Sequence, residues 1–459
     1  MRMGIDKRHR PLLAAICASL FCMPFMLAGV NAVLPAIGES LDASARQLGL
    51  IGAFYSLGLA VFQLASGSLG DIFGRRRIFL LGIAIFAVAG AALGFVRSAP
   101  LFIALRLLQG LGGAMFNGSG LALLASAAPP EERAAYLGIS GAAVYAGIAC
   151  GPPLAGLVAG TLGWRWLFWG NALAFAGVFL LMKCTVRQEW RTAEGQPFDL
   201  TGCAIYGCAM IALTFGASEL AEWPALAWSL LAAFAALLVL FCLRELRSRY
   251  PILDIRLLAR NRVFALSSLA AFVNYSAYFG MLFFFSLYLQ VGRGLGVEEA
   301  GLVLAFQSAV QALTTPLAAR LCKSWQPGHV SAVGVALCGL GLAAAAFVDL
   351  GSSFVLVFVV QALLGAGISL FALPNTAIIL ESAGQEHVGQ AAGLTGAVRT
   401  AGQLCNMVII TLTLGFFLGN APVGPETLEG FMRCMRVDLI IFCLCNLGAV
   451  GCVLARNRN

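Results

Sequence analysis

Residues 67–77 read Gly67-Ser-Leu-Gly-Asp-Ile-Phe-Gly-Arg-Arg-Arg77 and separate two long apolar segments, 48–70 and 78–96. Glycines permit a tight turn, and a run of arginines is typical of a loop at a membrane surface. Each flanking segment is about as long as a helix that crosses a hydrocarbon core of about 30 Å. The stretch therefore predicts a short loop between two transmembrane helices.

Apolar segments of this kind recur along the whole chain. Of its 459 residues, 60% are hydrophobic and only 11% are charged, whereas a soluble domain carries about 25% charged residues. A chain with so little polar surface must be solvated largely by lipid. No segment alternates apolar and polar residues over a long range, and an open sheet cannot satisfy its backbone in lipid. We therefore predict an all-α membrane protein.

The length that a helix needs to cross the bilayer predicts about 14 spans. Their approximate ranges are 12–35, 48–70, 78–96, 101–127, 134–162, 166–185, 199–219, 224–243, 264–290, 297–321, 329–349, 353–380, 388–418 and 434–455. An even number of spans places both termini on the same side of the membrane.

The basic residues predict which side that is. By this assignment 21 of the 29 Lys and Arg residues lie on the side of the termini, six lie on the other side, and Arg106 and Arg399 lie within spans. Cytoplasmic loops carry such an excess, so we expect both termini in the cytoplasm and a bacterial inner (plasma) membrane location. The basic residues occupy short loops rather than one face of a domain, which argues against nucleic-acid binding.

The hydrophilic stretches divide the spans into groups. We predict a six-helix bundle in 1–190, two additional helices with their linkers in 191–250, and a second six-helix bundle in 251–459. The loop 319–326 weakly repeats the pattern of 67–74 at the equivalent place in the second half. Repeated bundles of this kind hold their substrate site between the halves near the bilayer midplane.

Cysteine and histidine give no sign of a cofactor. Most of the 14 cysteines lie inside apolar spans, no CxxC pair occurs, and His9, His329 and His387 fall in predicted loops. Small hydrophobes at helix contacts explain the cysteines better than disulfides or metal ligands. We expect no metal and no cofactor.

Two arginines lie within predicted spans. Arg106 opens the sequence Arg106-Leu-Leu-Gln109-Gly110, several residues inside span 4. An arginine at that depth is costly and is functional by default, although snorkelling to an interface is the alternative. Arg399 lies in span 13 together with Gln403, and snorkelling is a stronger alternative there.

Span 5 carries an ordered set of small residues and prolines. They are Gly138, Gly147, Gly151, Pro152, Pro153 and Gly156. Glycines let a neighbouring helix approach closely, and proline bends a span. Ordinary helix packing is the alternative to a role in transport.

Together these motifs resemble the major facilitator superfamily, and more narrowly its 14-span drug:proton antiporter group. Further similarities are Asn31-Ala-Val-Leu-Pro35, Trp164-Arg165-Trp166-Leu-Phe-Trp169-Gly-Asn171 and the linker from Pro251 to Arg262. The resemblance implies the major facilitator fold, with two extra helices between the bundles. It implies a cytoplasmic gate at Gly67, Gly70, Asp71, Gly74 and Arg75. It also implies a coupling and substrate path that includes Asn31, Arg106, Gln109, Asn117, Arg399 and Gln403, and an antiporter motif in span 5.

One position departs from the group. The group usually has an aspartate in span 1, five residues before the asparagine, and this chain has Met26 there. An intramembrane carboxylate is the obvious proton carrier of an antiporter. Either proton dependence is weak, or another acid carries the proton, with Asp71 as the first candidate, or coupling needs no carboxylate.

We therefore expect a monomeric transporter that exports hydrophobic or amphipathic small molecules by alternating access, as in multidrug efflux coupled to the proton gradient. An exporter or facilitator of an anionic metabolite, with Arg106 or Arg399 as the counter-ion, is the second possibility. A membrane-embedded sensor or enzyme is the third, although every loop is too short to hold a catalytic domain.

Overall fold

The computed structural model describes residues 10–127, 133–191, 193–220, 222–253, 255–383 and 388–457. These residues form helices and short connections, and none of them lies in a strand. Asp254 of the linker and His387 lie outside the described residues. Fourteen helices in this part of the chain are long and apolar enough to cross a membrane, which confirms the expected number of spans.

Short helices accompany the long ones. In chain order they are α1 (Arg10–Ala32), α2 (Leu34–Ser40), α3 (Ala45–Phe73), α4 (Arg75–Leu93), α5 (Ala99–Ala127), α6 (Arg133–Thr161), α7 (Arg165–Thr185), α8 (Leu200–Ser218), α9 (Pro224–Arg247), α10 (Ile255–Arg260), α11 (Arg262–Tyr278), α12 (Met281–Leu287), α13 (Val297–Ser324), α14 (Pro327–Ala345), α15 (Phe354–Ser382), α16 (Val388–Leu418) and α17 (Leu428–Asn457). A π-helical turn, Tyr288–Gly292, extends α12, so that 262–292 crosses the membrane as one span.

The start of α1 and the end of α17 lie at the same face of the bundle, which we call the terminal face. The opposite face is the distal face. Helices α1 and α3 to α7 pack on one another and form the N half, and α11 to α17 form the C half. The halves meet chiefly along α3 with α16 and along α6 with α13.

Local signals in the sequence explain several helix ends. Ser44 and Gln47 form a reciprocal capping box at the start of α3, with bonds of 3.2 and 3.0 Å, which satisfies two otherwise free backbone donors. Asn261 caps α11 by accepting from the Phe264 backbone N–H at 3.0 Å. Pro35 lies in the first turn of α2, which Val33 separates from α1, because proline cannot donate a helical hydrogen bond.

Packing between the halves is asymmetric. The largest apolar cluster joins both halves towards the distal face and includes Val30, Leu48, Phe284, Leu304 and Met407. On the terminal side, one cluster belongs to the N half and three belong to the C half. A smaller cluster, which includes Leu64 and Ala397, still joins α3 to α16 beneath α8. The structure is therefore closed at the distal face.

Helices α8 and α9 form a hairpin on the outside of this junction. Helix α8 packs on α3 and α16 through a cluster that includes Leu57, Tyr206 and Leu404. Helix α9 packs mainly on α8, and most of its side chains are exposed. The hairpin thus covers the α3–α16 junction from outside.

Candidate transport site

Arg106 lies in the distal half of α5 and is only 1% exposed. Its Nη1 donates to Gln109 Oε1 at 2.6 Å, and its Nε donates to the Ile51 carbonyl at 3.5 Å. The guanidinium carbon lies 4.2 Å from the centre of the Tyr55 ring, a cation–π distance. None of the described carboxylates pairs with Arg106, so neutral groups and an aromatic face hold the cation.

Gly110 explains how α5 comes close enough to α3 for these contacts. A Cβ atom at Gly110 would lie 2.2 Å from the Tyr55 carbonyl oxygen, and one at Gly58 would lie 2.3 Å from the Leu107 carbonyl oxygen. Any side chain at either position would force the helices apart. The glycine beside Arg106 is therefore a requirement of helix packing.

Three buried polar atoms on α3 and α5 have no hydrogen-bond partner among the described residues. They are the Tyr55 hydroxyl, Gln109 Nε2 and Gln63 Oε1. Buried polar groups are nearly always hydrogen-bonded in native structures. A water molecule or a polar group of a substrate would satisfy these atoms.

The other predicted path residues do not gather around Arg106. Asn31 and Asn117 are 6% and 7% exposed, whereas Arg399 and Gln403 are half-buried on α16. No described hydrogen bond joins any of these four to Arg106. Arg399 lies towards the terminal face and Arg106 towards the distal face, so only Arg106 and Gln109 form a shared site.

Met26 occupies apolar surroundings. It is 2% exposed and belongs to the apolar cluster that joins the two halves at the distal side. Where the 14-span group has an acid, this chain therefore has hydrophobic packing.

The predicted gate stretch adopts a sharper turn than expected. Gly67 and Gly70 belong to α3, which runs to Phe73, and only Gly74 separates it from α4. Several glycines of residues 67–77 were expected to form the turn, and that expectation is wrong. Gly74 alone, with φ of +114°, reverses the chain. An L-residue rarely adopts that conformation.

Asp71 and Arg75 form an ion pair across this turn. Arg75 Nη2 lies 2.6 Å from Asp71 Oδ1, and Arg75 Nε donates to the same oxygen at 2.8 Å. Arg75 Nη1 also donates to the Ala122 carbonyl of α5 at 3.0 Å. The pair thus ties α3, α4 and α5 together at the terminal face. Asp71 is partly exposed and paired, which makes it a poor candidate for an embedded proton carrier.

The segment after α7 covers this turn. The Trp190 carbonyl accepts from the Arg75 N–H at 3.0 Å, and the Asp71 carbonyl accepts from the Ala193 N–H at 3.1 Å. Glu189 Oε1 accepts from the Arg76 N–H at 2.8 Å. The gate stretch is therefore built into the end of the N half.

The span 5 glycines occupy α6, and they face two different helices. A Cβ atom at Gly147 would lie 2.2 Å from the Phe21 carbonyl oxygen of α1, and one at Gly151 would lie 2.8 Å from Ala28 Cβ. Pro152 and Pro153 lie within the helix between these contacts and the distal end. The surroundings of Gly138 lie outside the described part of the chain.

Gly156 faces the C half instead. A Cβ atom there would lie 2.7 Å from the Val297 carbonyl oxygen of α13, and one at Gly301 would lie 2.6 Å from the Pro152 carbonyl oxygen. The last glycine of the motif thus lets α6 and α13 meet at the distal face.

The matched family model is the one described as Major Facilitator Superfamily, over residues 16–405. This chain belongs to the major facilitator superfamily. It is therefore a multi-pass membrane transporter of small-molecule substrates, and its predicted fold is confirmed.

Two relatives are similar to this chain over most of its length. The multidrug resistance protein Stp of Mycobacterium tuberculosis is 31% identical over 409 residues, which cover 86% of this chain and 74% of that protein. The tetracenomycin C resistance and export protein of Streptomyces glaucescens is 30% identical, covering 88% of this chain and 76% of that protein.

A solved structure supports the fold. A bacterial homologue of the human lysosomal transporter Spinster, in an inward-facing and unoccupied conformation, superposes with a TM-score of 0.71 at 17% identity. The match covers 99% of this chain and 98% of that one.

The sequence analysis did not predict a polar contact that joins the two halves of this transporter. Ser286 Oγ and Gln290 Nε2 both donate to the Ala32 carbonyl, at 3.0 and 2.7 Å. Ala32 is the last residue of α1, and Gln290 lies in the π-helical turn. Pro35 was a visible signal for the end of α1, but nothing in the sequence identified the partner of this carbonyl.

Arg456 was counted as a loop charge, and that interpretation is wrong. It is 5% exposed, and its guanidinium donates to Asn375 Oδ1 at 2.7 Å, Ser267 Oγ at 3.0 Å and Ser331 Oγ at 2.6 Å. The last helix of the C half therefore ends in a buried cation that binds three neighbouring helices.

Proposed function

We propose that this transporter exports hydrophobic or amphipathic small molecules by alternating access, driven by the proton gradient, with its terminal face in the bacterial cytoplasm. We propose further that it works as a monomer. The observation that carries the proposal is the packing asymmetry of the halves: the largest shared core lies at the distal side, whereas most of the terminal side is packed in cores of the separate halves, with one smaller shared cluster at α3 and α16. Alternating access requires two halves that can close at either face in turn.

The proposed orientation follows from the charges. The terminal face carries most of the Lys and Arg residues that lie outside the spans, and cytoplasmic loops carry that excess. Closure at the distal face would then correspond to an inward-facing conformation, from which an exporter collects its substrate.

The names of the relatives support the substrate class. One is a multidrug resistance protein and another is a tetracenomycin C resistance and export protein. The Arg106 site holds groups that such compounds can contact, namely the Tyr55 ring and the unpartnered Gln109 Nε2.

A second candidate, export of an anionic metabolite, is favoured by one observation. Arg106 is a permanent cation with no carboxylate partner among the described residues. A buried charge of this kind could pair with an anionic substrate.

Transport by the purified protein in proteoliposomes would test both. We would impose a pH gradient and offer ethidium (a cation), tetracenomycin C and carboxyfluorescein (an anion). Gradient-driven transport of the first two supports drug export, whereas transport of carboxyfluorescein alone supports the second candidate. Failure to transport any probe, by protein that elutes as a single species, would contradict the proposal.

A further inference from the structure

Asp438 is a fully buried acid in α17, with 0% of its surface exposed. It lies ten residues into a helix of 30, so it is embedded about 15 Å from the helix start. Its Oδ2 lies 2.7 Å from Thr413 Oγ1 of α16. Its Oδ1 has no partner among the described residues.

No cation of the described residues compensates this carboxyl group. Helix α16 presents Thr413 to it, and α17 itself presents the Cys434 thiol, whose sulfur lies 3.4 Å from the same hydroxyl. Helices α11 and α14, the π-helical turn Tyr288–Gly292 and the turn Pro425–Thr427 also pack on α17, and in the described chain none of them places a Lys, Arg or His side chain in an ion pair with Asp438. On α17, Arg433 pairs with Glu429 and Arg436 is exposed.

The number of protons available for hydrogen bonds indicates that the Asp438 carboxyl group is neutral. The Thr413 hydroxyl has one proton, and it lies within bonding distance of the carbonyls of Ile409 (3.1 Å) and Ile410 (3.0 Å) as well as of Asp438. An ionised Asp438 would have at most this one donor for its buried charge, which is very costly. A neutral Asp438 can instead donate to Thr413, which then donates to a backbone carbonyl.

A row of buried amides continues from Asp438 towards the terminal face. Asn446 lies eight residues further along α17 and donates to Asn274 Oδ1 of α11 at 3.0 Å. Asn406 lies seven residues before Thr413 on α16 and donates to the Ser276 carbonyl at 2.7 Å. Asn274 Nδ2, Asn406 Oδ1 and Asn446 Oδ1 have no partner in the described part of the chain, so they can hold water.

The acid lies against α16, one of the two helices that meet at the distal junction. Thr411, two residues from Thr413 and therefore on roughly the opposite side of α16, presses on Gly49 of α3, where a Cβ atom would lie 2.6 Å from Thr411 Oγ1. Opening of the α3–α16 junction would therefore move the helix whose other side holds the acid.

We propose that Asp438 is the residue at which this transporter binds and releases the coupling proton. The carboxylate takes up a proton from distal water when the α3–α16 junction opens and α16 shifts against α17, and the acid is neutral when the junction closes. Its O–H bond then breaks, water held by the amides of Asn406, Asn446 and Asn274 accepts the proton, and a carboxylate remains. The coupling site would thus lie in the C half, apart from Arg106 in the N half.

This proposal rests on the proton-coupled export proposed above, and two measurements separate them. The first needs no substrate: infrared difference spectra of the protein in lipid nanodiscs, recorded against pH. We expect a band of a protonated carboxylic acid that disappears in Asp438→Asn and persists in the matched control Glu429→Gln, an exposed acid on the same helix. If Asp438→Asn removes no such band, the proposal is wrong.

The second measurement compares ethidium transport in proteoliposomes with and without a pH gradient. We expect Asp438→Asn to keep exchange of ethidium without a gradient, while its gradient-driven rate falls to the rate without one. Glu429→Gln should keep both rates. Retained gradient stimulation in Asp438→Asn would overturn the proposal.

Two variants guard against misfolding. Thr413→Val keeps the acid but removes its partner, and it should shift the acid band and reduce gradient stimulation. Asp438→Glu should restore part of that stimulation. If the wild type fails to exchange ethidium, the proposed function fails, whereas the infrared band still decides the role of Asp438.

Discussion

Arg46 Nη1 and Glu222 Oε1 lie 2.8 Å apart at the distal face, and Asn420 donates to the same carboxylate oxygen at 2.8 Å. Arg46 also pairs with Glu219. Arg46 lies in the first turn of α3 of the N half, Asn420 follows α16 of the C half, and both acids lie in the turn of the α8–α9 hairpin. The hairpin turn therefore bridges the two halves in the distal-closed conformation.

Arg46→Gln should shift the protein towards distal-open conformations. The shift should be less than about tenfold, because partly exposed ion pairs contribute little, and it should shrink at high salt. Arg165→Gln is the matched control, since Arg165 lies at the same face and its described hydrogen bonds, to Ser40 and Val96, stay on the side of the N half. An equal shift in both variants would contradict a bridging role.

Pulsed electron paramagnetic resonance would measure this shift. Spin labels can be placed at Glu39→Cys in the N half and Gly351→Cys in the C half, both exposed near the distal face. Cys184 and Cys208, the two exposed cysteines of the described residues, would first be replaced by serine. A longer label distance reports distal opening.

Glu222 predicts how this contact depends on pH. The hydrogen bond from Asn420, and then Arg46, hold the pKa of Glu222 below its ordinary value, which is about 4.3. A carboxyl group whose pKa is lowered by a contact stabilises that contact at pH values above its ordinary pKa. This stabilisation is lost as the pH falls through the lowered pKa. The label distance should therefore be constant near neutral pH and lengthen only in acid, and Glu222→Gln should abolish the acid effect. A change near neutral pH that survives Glu222→Gln would come from another group.

Asp71→Asn should reduce ethidium transport by roughly tenfold while membrane insertion stays intact. The substitution removes the charge that holds Arg75 between α3 and α5, and a charge-assisted hydrogen bond at a partly exposed site contributes modestly. Glu194→Gln, at an exposed pair with Arg191 on the same face, should leave the rate unchanged. Normal transport by Asp71→Asn at normal expression would argue that the pair is only a topology anchor.

Arg106→Lys should lower transport by at least about tenfold despite its conserved charge. Lysine can neither stack on Tyr55 as a plane nor donate in two fixed directions to Gln109 and the backbone. Arg97→Lys, at an exposed position beyond α4, controls for the loss of any arginine. If Arg106→Lys transports ethidium normally, charge alone suffices at this site and stacking of a planar guanidinium on Tyr55 is not required.

Gly156→Leu should open the distal face, because its side chain would collide with the backbone of α13 near Val297. Overpacking of this kind costs about 1–3 kcal/mol, enough to shift the equilibrium measured by the spin labels. Gly177→Leu on α7, where a Cβ atom meets nothing within 4 Å, is the matched control. An unchanged label distance in Gly156→Leu would show that α6 and α13 do not control closure.

The sequence predicted the architecture well because the bilayer imposes it. A span must be long and apolar, and its backbone must bond internally, so hydropathy alone locates the helices. For the same reason, the sequence showed that Arg106 lies inside a span and that Gly147, Gly151 and Gly156 share one. The predicted bounds of the loops were less accurate than the predicted number of spans. Residues 67–73 continue α3, because the end of a helix depends on capping contacts such as those of Gly74.

Partners across the fold were decided only by the tertiary structure. Hydropathy places Asp438 just inside the last predicted span, 434–455, and Arg456 just outside it, and nothing in the order of residues shows that both side chains are buried. The tertiary structure does show it: Thr413 faces Asp438 from 25 residues away, and Asn375 faces Arg456 from 81 residues away. The sequence by itself determined which segments enter the membrane, because transfer free energy is summed locally along the chain. Only the packing of helices decided which polar groups meet there, because the cost of a buried charge depends on the atoms around it.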